Sequence, residues 1–550
     1  MEFVSGYPGY MLESIDQVER SRDRRLDESI ELMSLEERDE MLRKYHPDYK
    51  ESGKRALRLG SNKGDKVPHE IADLIETHPI INPAEIDLTH LDFDLDILII
   101  GGGGAGMTAA LWAKYSGVKP EDMLIVQKLR MGDSNSVMSQ GGIQIAAKPY
   151  DSPVLHYLDA LGGGHFTNNP ELVRTLVLDA PTILRWHEKL GVEYDKEPNG
   201  DMITLSCGGS SKKRLHSARD YTGMEIVRNI KDEVINEELP FIEFTSAVEL
   251  IMDDSGRVAG AVLYNMETQQ YYVARAKATI LATGGFGRLH IQGFQTTNHY
   301  GATGDGIVLA YRVGARLRDM DSVQYHPTGA AYPEQIVGLL VTEKVRNLGA
   351  QPINRYGEQF VNPLEPRDVE ASAIIRECYE KGGGIETPSG MIGVWLDTPM
   401  IEIIRGDGTI EKSLPAMFRQ NRRFGIDMRK SPLLVFPTLH FQNGGVEMVN
   451  DRTETTIKGL FAAGEVTGGT HGKNRLMGNS ILDYSVYGRR AGIHVAEYVK
   501  KISVGRLTLK HVKRYEEMLR EAHVETDLRS PILLPEYRGE NVLSRSLDIL

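Results

Sequence analysis

Four short segments of this chain gather residues suited to hold a small anion: QYHPTG at 324–329, TEKVR at 342–346, EPRD at 365–368 and LHFQNGG at 439–445. Arginine can grip a carboxylate through two parallel N–H donors, and histidine adds a compact donor beside it. Glu343 and Arg346 are three positions apart, so on a helical turn they share a face and can pass a proton. Two glycine-rich stretches flank the set, Asp96-Ile-Leu-Ile-Ile-Gly-Gly-Gly-Gly-Ala-Gly106 and Gly459-Leu-Phe-Ala-Ala-Gly-Glu465. They read as two ends of one dinucleotide cradle. A cofactor domain interrupted by anion-binding residues is what redox chemistry on a small dicarboxylate requires.

The elements that position these residues are legible in part. Ile97 to Ile100 form an unbroken apolar run, as in a strand covered on both faces. Gly101, Gly103 and Gly106 fit G-x-G-x-x-G, and from Met107 a helical pattern runs to Gly117. In that arrangement the glycines allow a tight turn, close approach of a pyrophosphate and packing of helix on strand. Taken alone, the motif is also compatible with a structural turn. A second strand is predicted at Met123–Val126, ending at Gln127, where an acidic residue often binds a ribose hydroxyl and where an amide can also hydrogen-bond. Further strands are predicted near Ala247–Met252, Val258–Tyr264 and Ala278–Leu281, the last feeding the loop Ala282-Thr-Gly-Gly-Phe286.

At 550 residues the chain has room for two or three domains, and 41% hydrophobic with 26% charged residues is ordinary for a globular protein. A net charge of −13 argues against a nucleic-acid partner. No stretch approaches the ~20 apolar residues of a membrane span, and the first residues do not resemble a secretory signal. Cys207 and Cys378 are the only cysteines, too few for an iron–sulfur cluster or structural zinc site, and suit a reducing compartment. Electrons must come from another protein. Residues 1–92 form a helical extension, with one capped helix starting at Ser34 and stopping before Pro47 and another over Pro68–His78. It reads either as a peripheral wrap or as a docking element. A helix, KHVKRYEEMLREA, and a short tail follow Leu509.

Over Asp94–Gly492 the chain resembles the flavoprotein subunits of succinate dehydrogenases and fumarate reductases, a family that includes L-aspartate oxidase. The motifs come in the family's order: GGGGAG, S-x-x-x-x-S-Q-G-G-I from Ser134, D-x-T-G from Asp220, ATGG, TGDG, QYHPTG, TE-x-x-R, RD, H-x-x-x-GG, AAGE and N-R-x-x-GNS. The resemblance implies an α/β fold. A Rossmann-like FAD-binding domain (93–323 and 439–500) would carry an inserted α+β capping domain (324–438), the helical N-terminal extension and a short helical C-terminus (501–550).

It also implies FAD, held by Gly101, Gly103, Gly104, Ala105 and Gly106 at the pyrophosphate. Gln127, Lys128, Ala282, Thr283, Gly284, Asp305 and Glu465 would hold other FAD groups. Ser134, Asn135, Ser139, Gln140, Gly141, Gly142, Ser480 and Leu482 would lie around the ring. Where membrane-bound members carry a histidine bonded to FAD, this chain has Asn135, so non-covalent FAD and a lean toward fumarate reduction are expected. His326 and Thr342 would bind one carboxylate of a C4 dicarboxylate, His440 and Arg475 the other, with Gly209 nearby. Hydride from flavin N5 would reach one alkene carbon while Arg367 protonates its neighbour, and Glu343 and Arg346 would reload Arg367. Singly, His326 reads as structural and Arg367–Asp368 as a salt bridge; the ordered set reverses both readings. No metal is expected in this chain. The expected partner is an iron–sulfur electron-transfer protein, and the expected location is the cytoplasm, peripheral to a membrane through partners.

Three departures qualify the resemblance. Cys207-Gly-Gly stands where the family commonly has Phe-Gly-Gly, which either opens space for a larger unsaturated dicarboxylate or leaves a volume that a neighbour refills. Asn347-Leu-Gly-Ala350 replaces the usual G-E-G-G after the relay arginine, and the C-terminal helical domain is shortened. The competing readings are an L-aspartate oxidase-like activity and a non-catalytic electron-transfer or scaffold subunit.

Overall fold

The computed structural model describes residues 6–28 and 30–535, so the outermost parts of the two expected terminal segments (1–5 and 536–550) lie outside the described residues. The strand Phe93–Ile100 sits in an eight-stranded mixed sheet, parallel to Met123–Val126 on one side and to Gln270–Leu281 on the other. Thr245–Asp253 and Val258–Asn265 extend the sheet as antiparallel strands. Leu460–Ala462 adds a parallel strand beside the end of Gln270–Leu281. The apolar run fits this place: Ile97, Leu98, Ile99 and Ile100 are all buried. That register puts Ile100 beside Leu281 and Val126, so three strands deliver their carboxyl ends to one edge. The helix Gly104–Tyr115 begins there, three residues earlier than predicted, and the predicted strands all form, with those at Thr245–Asp253, Val258–Asn265 and Gln270–Leu281 longer than predicted.

A second, five-stranded antiparallel sheet carries the cationic segments. Val323–Ala330 pairs with Leu433–Gln442, which pairs in turn with Ile392–Asp397; Gln351–Ile353 and Ile385–Glu386 both pair with that third strand. The expected divisions at 323/324 and 438/439 both fall inside the first strand pair, so neither coincides with the end of an element. The helix Arg367–Tyr379 is buried along most of its length and contributes Ile374 and Ile375 to the core shared with the sheet.

The N-terminal segment wraps both sheets. Helix Leu35–Tyr45 starts with the predicted capping box, Ser34 Oγ accepting from Glu37 N and Glu37 Oε2 accepting from Ser34 N. The second predicted helix is shorter, His69–Ile75, because Lys66–Pro68 is drawn into a hairpin with Lys54–Ala56. Helix Gly9–Arg20 buries Met11, Ile15 and Val18 in the main core. The Arg25 guanidinium, 1% exposed, reaches the fully buried Asp397 at 2.6 Å, and Arg22 binds the same carboxylate at 2.9 Å. Farther on, Tyr311 donates to Leu59 O and Tyr515 to Ile75 O, both at 2.7 Å. The tail strand Arg529–Ser530 closes the wrap by pairing with His78–Pro79.

Removing one partner of a buried ion pair leaves the other uncompensated, at a cost of about 3–5 kcal/mol. Asp397→Ala is therefore expected to lower stability by about that much, read from the urea midpoint, and to expose the first 28 residues to limited proteolysis. An unchanged midpoint and cleavage pattern would show that the clamp does not hold the segment.

Candidate active site

The cavity at the carboxyl edge of the large sheet has a volume of about 410 Å³. Its floor is the turn between Ile100 and the helix at Gly104, with Gly103 as the helix N-cap. Gly101 has φ +114°, and a Cβ there would lie 2.2 Å from Ala282 O. Gly106 is one turn into the helix and packs on the loop instead of lining the cavity: a Cβ would sit 1.8 Å from Gly101 O. Gln127 staples this turn, its Oε1 accepting from Gly102 N at 2.6 Å and its Nε2 donating to Asp133 O. Gly103, Gly104, Ala105, Ala282, Thr283 and Gly284 line the same end.

Lys128 and Asp305 close that end as an ion pair at 2.8 Å, with Thr303 donating to Asp305 at 2.7 Å. The tail reaches over them, Ile532 O accepting from Lys128 Nζ at 3.1 Å. Ser134, Asn135, Ser139, Gln140, Glu465 and Ser480 line the middle. Asn135 is fixed by donating to Asn298 Oδ1 and Glu465 Oε2 and by accepting from His299 N. Three of the expected ring neighbours, Gly141, Gly142 and Leu482, are not on the cavity wall. Leu482 is fully buried in the core between helix and sheet, because its side chain follows the apolar face of helix Asn479–Tyr498. Gly142 backs onto His216 O, to which a Cβ would approach within 2.4 Å. Gly141 faces Met477 and Thr342.

At the far end the cavity wall is made by His440 and Arg475. His326 and His440 come from the paired strands of the second sheet and place their rings 4.9 Å apart. Arg475 lies over Phe441 and donates to Gln324 Oε1 at 2.9 Å. The same oxygen accepts from Arg367 at 3.0 Å. The Gln324 amide is oriented by Nε2, which donates to Asn474 Oδ1 and Arg475 O, so its oxygen must face the guanidiniums. Arg367 Nε donates to Glu343 Oε2 at 2.7 Å, and Arg346 Nη2 stands 3.5 Å from that oxygen. Glu343 Oε1 accepts from Gly208 N at 2.9 Å. Arg367, Glu343, Arg346, His326, Thr342 and Gly209 lie behind the cavity wall; Arg367 is linked to it through Gln324. Nothing in the sequence patterns assigned Gln324 a role, although it opens the QYHPTG segment. Cys207 packs with Leu205, Leu215 and Met477, so a neighbouring side chain does occupy the volume beside it.

The electrostatics are lopsided. Burial pushes Glu343 up, but Arg367 and then Arg346 outweigh it and hold the carboxyl below its usual range. Burial and then Arg367 drive both His326 and His440 well below the ordinary imidazole range, leaving neutral rings. Arg475 is likewise pushed down by burial and then by Arg367. Burial raises Glu465, and it raises Glu370, beside Arg346, to about 8. Asp368 is engaged by His165 at 2.6 Å. Three guanidiniums thus outnumber the carboxylates held ionised around them.

A family model described as an FAD binding domain matches residues 96–481. The chain is 37% identical over 444 residues to one subunit of the CoM/CoB fumarate reductase of Methanothermobacter marburgensis, covering 78% of each chain. L-aspartate oxidase of Streptomyces coelicolor is 33% identical over 73% of this chain and 68% of that one. A structure of E. coli quinol fumarate reductase superposes with a TM-score of 0.69 at 30% identity, covering 78% of this chain and 74% of that one. The chain belongs to the fumarate reductase and succinate dehydrogenase flavoprotein family. It is an FAD-dependent oxidoreductase of the class acting on CH–CH groups. No helix among the described residues is long and apolar enough to cross a membrane.

The cavity's own chemistry fits the cofactor of this family. Its glycine turn and helix N-terminus present amides to a pyrophosphate. Thr283 Oγ1 and Gln140 Oε1 are buried on its wall without a partner among the described residues. Asn135 offers a carboxamide there, a weak nucleophile unsuited to a covalent link. Acid precipitation of the holoprotein is expected to leave all flavin absorbance in the supernatant; flavin in the pellet would overturn that reading.

Proposed function

We propose that this chain reduces fumarate to succinate, or runs the reverse reaction, with electrons delivered by an iron–sulfur partner subunit. The reading rests foremost on one observation: Arg367 and Arg475 share Gln324 Oε1 beside two neutral imidazoles, in a pocket with a positive excess. Buried like charges are unfavourable unless a counter-charge joins them. A dicarboxylate supplies two negative charges of the right geometry, and paired guanidiniums bind it with charge-assisted hydrogen bonds. His440 and Arg475 hold the carboxylate nearer the cavity wall; His326 and Thr342 hold the other. Neutral His326 and His440 donate N–H without adding charge.

Bound FAD supplies the hydride. The chain's residues supply the rest. Arg367, its Nε held on Glu343, gives a proton to the carbon that becomes carbanion-like, and the guanidiniums stabilise charge building on the carboxylates. The residues from 324 to 438 act as a cap whose closure expels water from this centre. Two buried cysteines, Cys207 and Cys378, cannot hold a cluster, so reducing equivalents reach the flavin from a separate protein. A flavin bound beside Asn135 without a covalent bond favours the reductive direction, and the reading places the chain in the cytoplasm, where unpaired cysteines persist.

The deciding assay is anaerobic oxidation of reduced viologen with a panel of C4 and larger unsaturated dicarboxylates. Fumarate is expected to support turnover, and L-aspartate is expected not to reduce the flavin. Arg367→Ala is expected to lower kcat by about 10²–10⁴-fold, the usual worth of a positioned general acid, with FAD content unchanged. Flavin reduction by aspartate, or full activity in Arg367→Ala, would overturn the proposal.

A further inference from the structure

Arg346 is fully buried and stands between two carboxylates. On one side is Glu343; on the other is Glu370, one turn along the helix from Arg367 and itself fully buried. Arg346 Nη1 is in close ionic contact with Glu370 Oε2 and also donates to Pro363 O at 2.7 Å. Glu370 Oε1 has no hydrogen-bond partner among the described residues. Among the described residues Glu370 has one cation in ion-pair contact, Arg346, which it shares with Glu343, so burial leaves Glu370 as the carboxyl that carries a proton. Glu343, held also by Arg367 and by the Gly208 amide, is the ionised one. The charged groups facing Glu370 are Arg346 and Glu343 from the turn at 343–347, Arg367 from its own helix, and Glu365 from the preceding loop. Glu365 is fully buried and held by Arg38 at 2.8 Å and by Met33 N at 2.6 Å, both from the N-terminal wrap. Arg38 is 23% exposed, so the line of charged groups runs from the reacting centre toward solvent.

We propose that Glu370 is the proton store of this site, touching neither substrate nor flavin and acting through Arg346. The inference rests on the fumarate reading above. In each reductive turnover the N–H bond of Arg367 breaks as the new C–H bond forms, while the hydride brings both electrons of the reduction. Ionised Glu343 takes a proton from Arg346 and passes it to Arg367. Arg346 recovers its N–H from the Glu370 O–H, and Glu370 is reprotonated from water at the Glu365 end. No electron moves along this line. Burial, offset by Arg346 and reinforced by Glu343 and Glu365, raises the Glu370 carboxyl to about 8, so it carries its proton at neutral pH and loses it above that.

Reductive kcat of the unmodified enzyme should accordingly be level at neutral pH and fall as pH rises through about 8. The experiment compares the holoenzyme with Glu370→Gln and Glu370→Asp, with FAD content and unfolding temperature checked for each. In E370Q, kcat at neutral pH should fall by about tenfold or more, KM for fumarate should hold within about twofold, and the alkaline limb should vanish. Infrared pH titration gives a readout apart from turnover: a protonated-carboxyl band lost near pH 8 in the parent should be weaker or missing in E370Q. That difference separates Glu370 from Asp483, which burial raises into the same range. Should E370Q fail to bind FAD, E370D decides, because its shorter carboxyl draws back from Arg346; a smaller kcat with a displaced limb supports the store. A parent-like pH profile and kcat in either folded variant overturns it, as does a band in E370Q as intense as the parent's, since Asp483 alone accounts for a reduced one. A parent enzyme that turns over no dicarboxylate overturns the fumarate reading and the store together.

Discussion

One amide oxygen, Gln324 Oε1, receives hydrogen bonds from two buried guanidiniums that repel each other. Much of the molecule can be understood as what is needed to keep that oxygen where it is. The nitrogen of the same amide is tied to Asn474 and to the Arg475 backbone, which removes the alternative orientation. The strand carrying Gln324 is paired with the strand carrying His440, and the helix that starts at Arg367 is buried beside them. Each cation therefore arrives on a different element, and none can relax toward solvent. Such a site is poorly matched to its own charge, and it gains most from a ligand that arrives with two negative charges.

The same pattern is repeated farther out. Arg346 faces Glu343 and Glu370, Glu370 faces Glu365, and Glu365 is held by Arg38. Arginines and carboxyls thus run from the reacting centre to the N-terminal wrap, with two carboxyls, Glu370 and Glu365, adjacent in the line. This gives the extension a place in the active-site architecture: its backbone at Met33 and its Arg38 hold the outermost carboxylate of the line. The wrap is fastened by the two arginines on Asp397 and by apolar burial of Met11, Ile15 and Val18.

What the sequence disclosed depended on how local the signal was. The strand ending at Ile100, the glycine turn and the helix after it are set by neighbours in the chain, and all form, the strand from Phe93 and the helix from Gly104 starting earlier than predicted. The Ser34 capping box forms as well, and it needs only four consecutive residues. The convergence of His326, His440, Arg367 and Arg475 was legible only because several motifs came in a familiar order; nothing local brings those positions together. Gln324, Met477 and Glu370 escaped notice for the same reason. Each acquires its meaning from a partner far along the chain or across a helix turn. Helix phase sends the Leu482 side chain into the core, an orientation that motif order does not disclose.

The cavity is assembled from residues near 101, 135, 283, 305, 440 and 480, and the tail at Ile532 lies across one end of it. During synthesis the first glycine turn leaves the ribosome hundreds of residues before the segments that complete its walls. The complete site therefore exists only once the segment reaching Ile532 has been made and packed against the first glycine turn.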